Sequence, residues 1–176
     1  EQILQRDKRT CLQKATETIL HQRAVNVSEQ TENRNVIFVS TKEQLATASK
    51  LREHFARIYI DMQYFDTKDI EDMIRTKQKV YYALPAVFRS AMLQEWNNLS
   101  WKDMYGVVIR NLDELAYLKQ IGFPGKVITD YSVYAMNDIA AGWLQQQFPE
   151  VIVTLPVELN QKQLQNMNII SSELEV

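Results

Sequence analysis

Seven short runs of β-branched and aromatic residues recur along this chain at an almost constant interval, and that rhythm restricts its fold more than any other feature. The runs begin at Val36 (VIFVS), Arg57 (RIYID), Lys79 (KVYYAL), Tyr105 (YGVVIR), Lys126 (KVITD), Val151 (VIVTL) and Leu174 (LEV). Successive starts lie 21, 22, 26, 21, 25 and 23 residues apart. Between them stand helix-compatible segments: KEQLATASKLREHF, TKDIEDMIRTK, AVFRSAMLQEWNNL, LDELAYLKQIG, NDIAAGWLQQQF and QKQLQNM. Strand and helix alternating at this period predict βα units and a parallel sheet. The helix starts agree. Thr41 precedes Gln44 by three positions, as Asp66 precedes Asp69, Asn111 precedes Glu114 and Asn160 precedes Gln163. A short polar side chain at such a position satisfies the orphan N–H groups of the first helical turn. Gly122 and the turn Phe123-Pro124-Gly125 end the helix that follows the fourth strand.

Two architectures suit the pattern, an open doubly wound sheet and a (β/α)8 barrel. The first would place a Gly-rich phosphate loop after an early strand, and none of the four glycines falls in such a loop. The expected fold is therefore α/β, a partial TIM-barrel-like (β/α) repeat of about six to seven parallel strands. An N-terminal helix precedes it: residues 3–23 place Leu4, Cys11, Leu12, Ala15 and Ile19 on one helical stripe. The polar stretch AVNVSEQTENR reads as a linker. The division is 1–34 for helix and linker and 35–176 for the barrel-type domain. A partly closed barrel leaves two strand edges, which a second copy of the chain can pair with to form a homo-dimer. The chain starts with Glu, and it is read as an excised piece of a longer polypeptide.

Twenty basic and 22 acidic side chains give a net charge of −2 with no basic tract, so composition gives no electrostatic case for nucleic-acid binding. A solitary Cys11 has no partner for a disulfide, a zinc site or an iron–sulfur site, which favours a reducing, cytoplasmic setting. No apolar run reaches membrane-spanning length.

In parallel α/β folds chemistry gathers at the carboxyl ends of the strands. Strand two ends in Asp61, strand three in Leu84-Pro85 and strand four in Arg110-Asn111. Strand five ends in Asp130-Tyr131, and strand six runs out through Pro156, Glu158 and Asn160. Asn111, Asn137 and Asn160 are most simply N-caps. Arg110 needs acceptors, because an unpaired buried guanidinium is costly. Two readings stay open: an ion pair with Asp130 or Glu158, or an anchor for a substrate carboxylate or phosphate. Arg89, placed one turn into the helix after Leu84-Pro85, reaches either over the strand ends or into solvent. Asp61, Asp130 and Glu158 are three carboxylates on one rim. His21 and His54 lie on expected helices away from it, and Arg110 opposes a cation, so no metal site is expected. No Gly-x-Ser-x-Gly elbow and no Cys/His pair is present. Tyr81, Tyr82, Phe88, Trp96, Trp101 and Trp143 are expected in the core and its shell.

The order of these strand ends resembles a known family. VYYALPAVFR (80–89), GVVIRNLDELAYLKQIG (106–122), ITDYSVYAMN (128–137) and VTLPVELNQKQLQNM (153–167) are similar to the peptidase U32 family, the collagenase-like proteases. The likeness covers roughly 36–176 and is nearest to the extra C-terminal U32-type domain of long Firmicutes members. It implies a TIM-barrel-like fold and a peptidase label. Other relatives of that family resemble RNA-hydroxylation factors acting on tRNA or ribosomal RNA, or iron–sulfur proteins of ubiquinone hydroxylation. Their cysteine set lies downstream of the strand that LEV begins, so the resemblance implies no cofactor in this fragment and a cysteine-bound metal or cluster in a longer protein. It implies Arg110, Asn111, Asp130, Glu158 and Asn160 as pocket residues, without a catalytic role. Asp61 and Arg89 join them from the strand-end argument. The function expected is a domain of a U32-type peptidase, not catalytically competent as this fragment. The alternatives are a non-catalytic binding or scaffold domain, or part of an RNA-modifying factor. Partners implied are the flanking barrel segments of the same polypeptide and a peptide or RNA substrate.

Overall fold

A computed structural model describes residues 35–167 except 88, 90, 91, 93, 95 and 149, together with the backbone of 174 and 175. The expected N-terminal helix, its linker, Cys11, His21 and Phe88 lie outside the described residues. Seven strands form one sheet in sequence order. They are β1 (Asn35–Val39), β2 (Phe55–Asp61), β3 (Tyr81–Ala83), β4 (Gly106–Ile109), β5 (Lys126–Thr129), β6 (Ile152–Thr154) and β7 (Leu174–Glu175). Every neighbouring pair is parallel. The sheet curls into a partial TIM-barrel-like α/β fold.

The helices with defined limits are α1 (Lys42–Lys50), α2 (Thr67–Arg75), α3 (Leu112–Gln120), α4 (Asp138–Gln147) and α5 (Gln161–Asn166). Each begins at a side chain that accepts from an orphan backbone N–H: Thr41, Asp66, Asn111, Asn137 and Asn160. Only Asn160 forms the full reciprocal box, with Gln163 Oε1 accepting from its own N–H at 2.9 Å. Helix α3 stops in a Schellman turn. The Gly122 N–H donates to Lys119 O and the Phe123 N–H to Leu118 O, with Gly122 at φ 62. Helix α1 is shorter than expected, because Arg52–His54 forms a separate 3-10 turn whose guanidinium bonds the carbonyls of Phe55 and Ala56. Strand β2 consequently starts at Phe55.

Side chains alternate across the sheet. Ile58, Ile60, Tyr82, Val107, Ile109, Val127 and Val153 face outward into the larger core, where α2 adds Ile70, Met73 and Ile74 and α3 adds Leu115 and Leu118. Burying each such aliphatic side chain stabilises the fold by roughly 1.5–3 kcal/mol. Tyr59, Tyr81, Ala83, Val108, Ile128 and Ile152 form a second cluster on the inner face. The strands are thus buried on both sides, which is why they read as continuous apolar runs. Of the expected core aromatics, Trp143 is half-exposed on α4, whereas Tyr81, Tyr82, Trp96 and Trp101 are buried.

Candidate functional site

The inner-face alternation continues to the end of β2 and past the ends of β4 and β5. Two residues beyond Val108 comes Arg110, two beyond Tyr59 comes Asp61, and two beyond Ile128 comes Asp130. The partner of Arg110 is Asp61: Nη2 donates to Oδ2 at 3.1 Å, with the two side chains 13% and 6% exposed. This corrects the expectation that Asp130 or Glu158 would pair with the arginine. The reason lies in the intervening strand. Asp61 is in register with Ala83, and Ala83 with Val108, so β3 puts only a methyl group between the tips of β2 and β4. The guanidinium crosses that gap. It also lies over the Phe38 ring, 5.1 Å from the centroid, so β1 supplies a cation–π contact as well. The Asp61 carboxylate additionally accepts from the Gln63 N–H at 3.2 Å, capping the 3-10 turn Met62–Tyr64.

The backbone of Arg110 is fixed from α3. Its N–H donates to Glu114 Oε2 at 2.6 Å, while Asn111 Nδ2 donates to Glu114 Oε1 at 3.0 Å. The Glu114 N–H donates in return to Asn111 Oδ1 at 2.9 Å. Glu114 is fully buried. Loss of solvent pushes its carboxyl up to about 7, against the opposing effects of those two donors and the Arg110 charge.

Asp130 is half-buried and bonded to its own loop. Ser132 Oγ lies 2.7 Å from Asp130 Oδ2 and 3.0 Å from Arg110 O, and its single proton serves either acceptor. The Asp130 N–H donates to Ile109 O at 2.7 Å, carrying the β4–β5 ladder one step further. Arg110, Asp61, Asp130 and Asn111 therefore meet at the strand tips. Glu158 and Asn160 do not join them. Glu158 is exposed in the turn after β6 without a bond to Arg110, and Asn160 is spent on capping α5. Arg89 is exposed ahead of the helical residues that follow β3, where its carbonyl accepts from the Met92 N–H; it is not one turn into a helix. Three residues of the cluster went unmarked in the sequence reading. The spacing Asn111-x-x-Glu114 did carry Glu114 to the tip of β4, but Phe38 and Ser132 had no signal.

The chemistry open to this cluster is binding. Arg110 presents five N–H donors, and Asp61 takes one of them. Among the described residues Tyr82 Oη is the fully buried side-chain polar atom left without a partner, so the Arg110 donors that Asp61 does not take are not sealed from solvent. No histidine or lysine among the described residues is bonded to the Ser132–Asp130 pair. His54, the described histidine, is at the opposite ends of the strands next to Glu53. Among the described residues no group of three or more His, Cys, Asp or Glu side chains is placed to hold a metal. None of their helices is long and apolar enough to cross a membrane. Comparison with protein-family models, with curated proteins and with solved structures gives no match to this chain.

Proposed function

We propose that this chain is a U32-type (β/α) barrel domain, similar to the collagenase-like peptidases, whose part is to hold a ligand's anionic group at Arg110 and not to cleave it. It works in the cytoplasm, joined to further barrel segments of the same polypeptide. The observation that carries this reading is the Arg110–Asp61 pair: a nearly buried guanidinium, held from β1 and β2, of whose donors Asp61 takes one. A bidentate carboxylate or phosphate is the group that such a planar fork accepts. Hydrolysis would need an activated nucleophile or metal-bound water, and the cluster offers a serine beside a carboxylate.

Citrate is a suitable first probe. Titrated into the 176-residue chain and followed by NMR at the Arg110 Nε–H, it is expected to give a saturable shift. The paired variant Asp61→Asn with Arg110→Met, which removes both charges together, is expected to bind no citrate. An unresponsive Nε–H, or equal binding by the paired variant, overturns the anion site. Gelatin is expected to stay intact with the purified chain, and metal-independent cleavage would replace binding with catalysis.

A further inference from the structure

The segments that follow β2 to β6 each carry a large apolar side chain into solvent. They are Tyr64, Val87, Leu112, the pair Tyr131 and Tyr134, and Val157, at 49% to 74% exposure. Every one lies two to five residues beyond a strand end, so the parallel sheet delivers all six to the end that holds Arg110. Scattered apolar residues on a surface need no explanation, but apolar side chains repeated after strand upon strand at one end of the sheet do. Tyr134 adds a second observation. It holds a left-handed backbone, φ 56 and ψ 50, where a non-glycine residue costs roughly 1–2 kcal/mol. The other such residue, Lys77, closes α2 in a Schellman turn, with the Gln78 N–H reaching Met73 O. Tyr134 ends a single 3-10 turn, and its strained backbone holds an aromatic ring in water beside the mouth.

From this we infer that the strand-tip rim docks the end of a polypeptide chain, its terminal carboxylate on Arg110 and its apolar side chains on those that the rim exposes. The inference rests on the anion-site reading above and names the ligand for it. Size separates a polypeptide from a small acid. From β2 to β6 there are four strand spacings of about 4.8 Å, an arc of roughly 19 Å, which about six extended residues match and a single metabolite does not. Charge separates it from nucleic acid. Asp61 pairs with the arginine, Asp130 stands at the neighbouring strand tip and Glu158 is exposed on the loop after β6, a setting that tolerates one carboxylate and repels a run of phosphates. Tyrosine and arginine are also the side chains that most often dominate protein–protein binding energy.

The probe is the acetylated hexapeptide SLSFSL, as the free acid and as the C-terminal amide, measured by calorimetry against the intact chain. The free acid is expected to bind about tenfold or more tightly than the amide. Val157→Asp combined with Tyr134→Asp, both at exposed positions, is expected to weaken the free acid about fivefold or more. Equal binding of acid and amide, no binding of either, an unchanged affinity in the rim variant, or tighter binding of a single-stranded oligouridylate would each overturn the docking inference. The citrate titration keeps the two claims apart. If citrate binds while the hexapeptide does not, only the polypeptide ligand is lost; if citrate also fails, the anion site is lost with it.

Discussion

The two ends of this sheet hold charge in opposite ways. Where the strands begin, Lys79 and Lys126 are exposed at the rim, and Lys126 Nζ lies 5.8 Å from the Tyr105 ring centroid. Above that rim the inner face is closed by aromatic edges, Phe38 on Tyr59, Tyr59 on Tyr81 and Tyr81 on Tyr105, with centroids 5.3 to 6.1 Å apart. Such contacts add about 0.5–1.5 kcal/mol each beyond burial. Where the strands end, Arg110 and Asp61 turn inward and pair, and several apolar side chains turn outward. The strand-beginning end packs its rings edge to edge, with Phe38 and Tyr105 part-exposed, and leaves its cations wet. The strand-finishing end instead buries its arginine in an ion pair and leaves its apolar side chains more exposed, which is the arrangement expected where a ligand completes the burial.

The widest contrast is reached by breaking the inward pair. Arg110→Met leaves the Asp61 carboxylate buried and uncompensated, and is expected to destabilise the chain by about 3–5 kcal/mol in urea unfolding. Adding Asp61→Asn should return most of that loss, because two buried charges disappear together and neither desolvation penalty remains. If the single and paired variants unfold at the same urea concentration, the two side chains are not energetically coupled.

Glu114 sharpens the comparison through pH. Its carboxyl stands at about 7 in the folded chain against an ordinary 4.5, so the folded chain holds that proton more tightly than the unfolded chain does. Its contribution to stability is therefore full below about 4.5 and declines as pH rises toward and through about 7. The 4.5-to-7 difference corresponds to about 3 kcal/mol at most. Glu114→Gln should remove this decline while keeping an acceptor for the Arg110 N–H. The measurement is unfolding free energy from pH 4.5 to pH 8 for both chains. Parallel curves would show that burial of the carboxylate is not what sets the slope.

What the sequence made legible follows from what its side chains can do locally. Strand starts were placed within two residues for all seven strands, because parallel strands buried on both faces leave unbroken apolar runs. The caps at Thr41, Asp66, Asn111 and Asn160 were readable for the same reason, each being settled within four residues. The arginine's partner was not readable. It depends on the curl of the sheet and on the small size of Ala83, and neither is a local property. Glu158 shows the converse: a residue at the expected position in the chain turns outward because the Pro156–Leu159 turn, closed by the Leu159 N–H on Pro156 O, exposes it.

The strand-beginning end is tested by its one glycine on the inner face. A methyl group at Gly106 would sit 2.6 Å from the Tyr81 ring and 2.9 Å from Lys126 O, closer than any relaxed contact allows. Tyr81 is buried between the edges of Tyr59 and Tyr105, so its ring has little freedom to withdraw. Gly106→Ala is therefore expected to cost about 1–3 kcal/mol, the usual range for overpacking, even though alanine suits a strand better than glycine does. The cost should fall on stability alone. Citrate binding at Arg110, measured well below the unfolding transition, should be the same as in the parent chain, since the substitution lies at the far end of β4. A Gly106→Ala chain that kept its stability but lost citrate would mean that the two ends are coupled through β4 and do not divide the work between them.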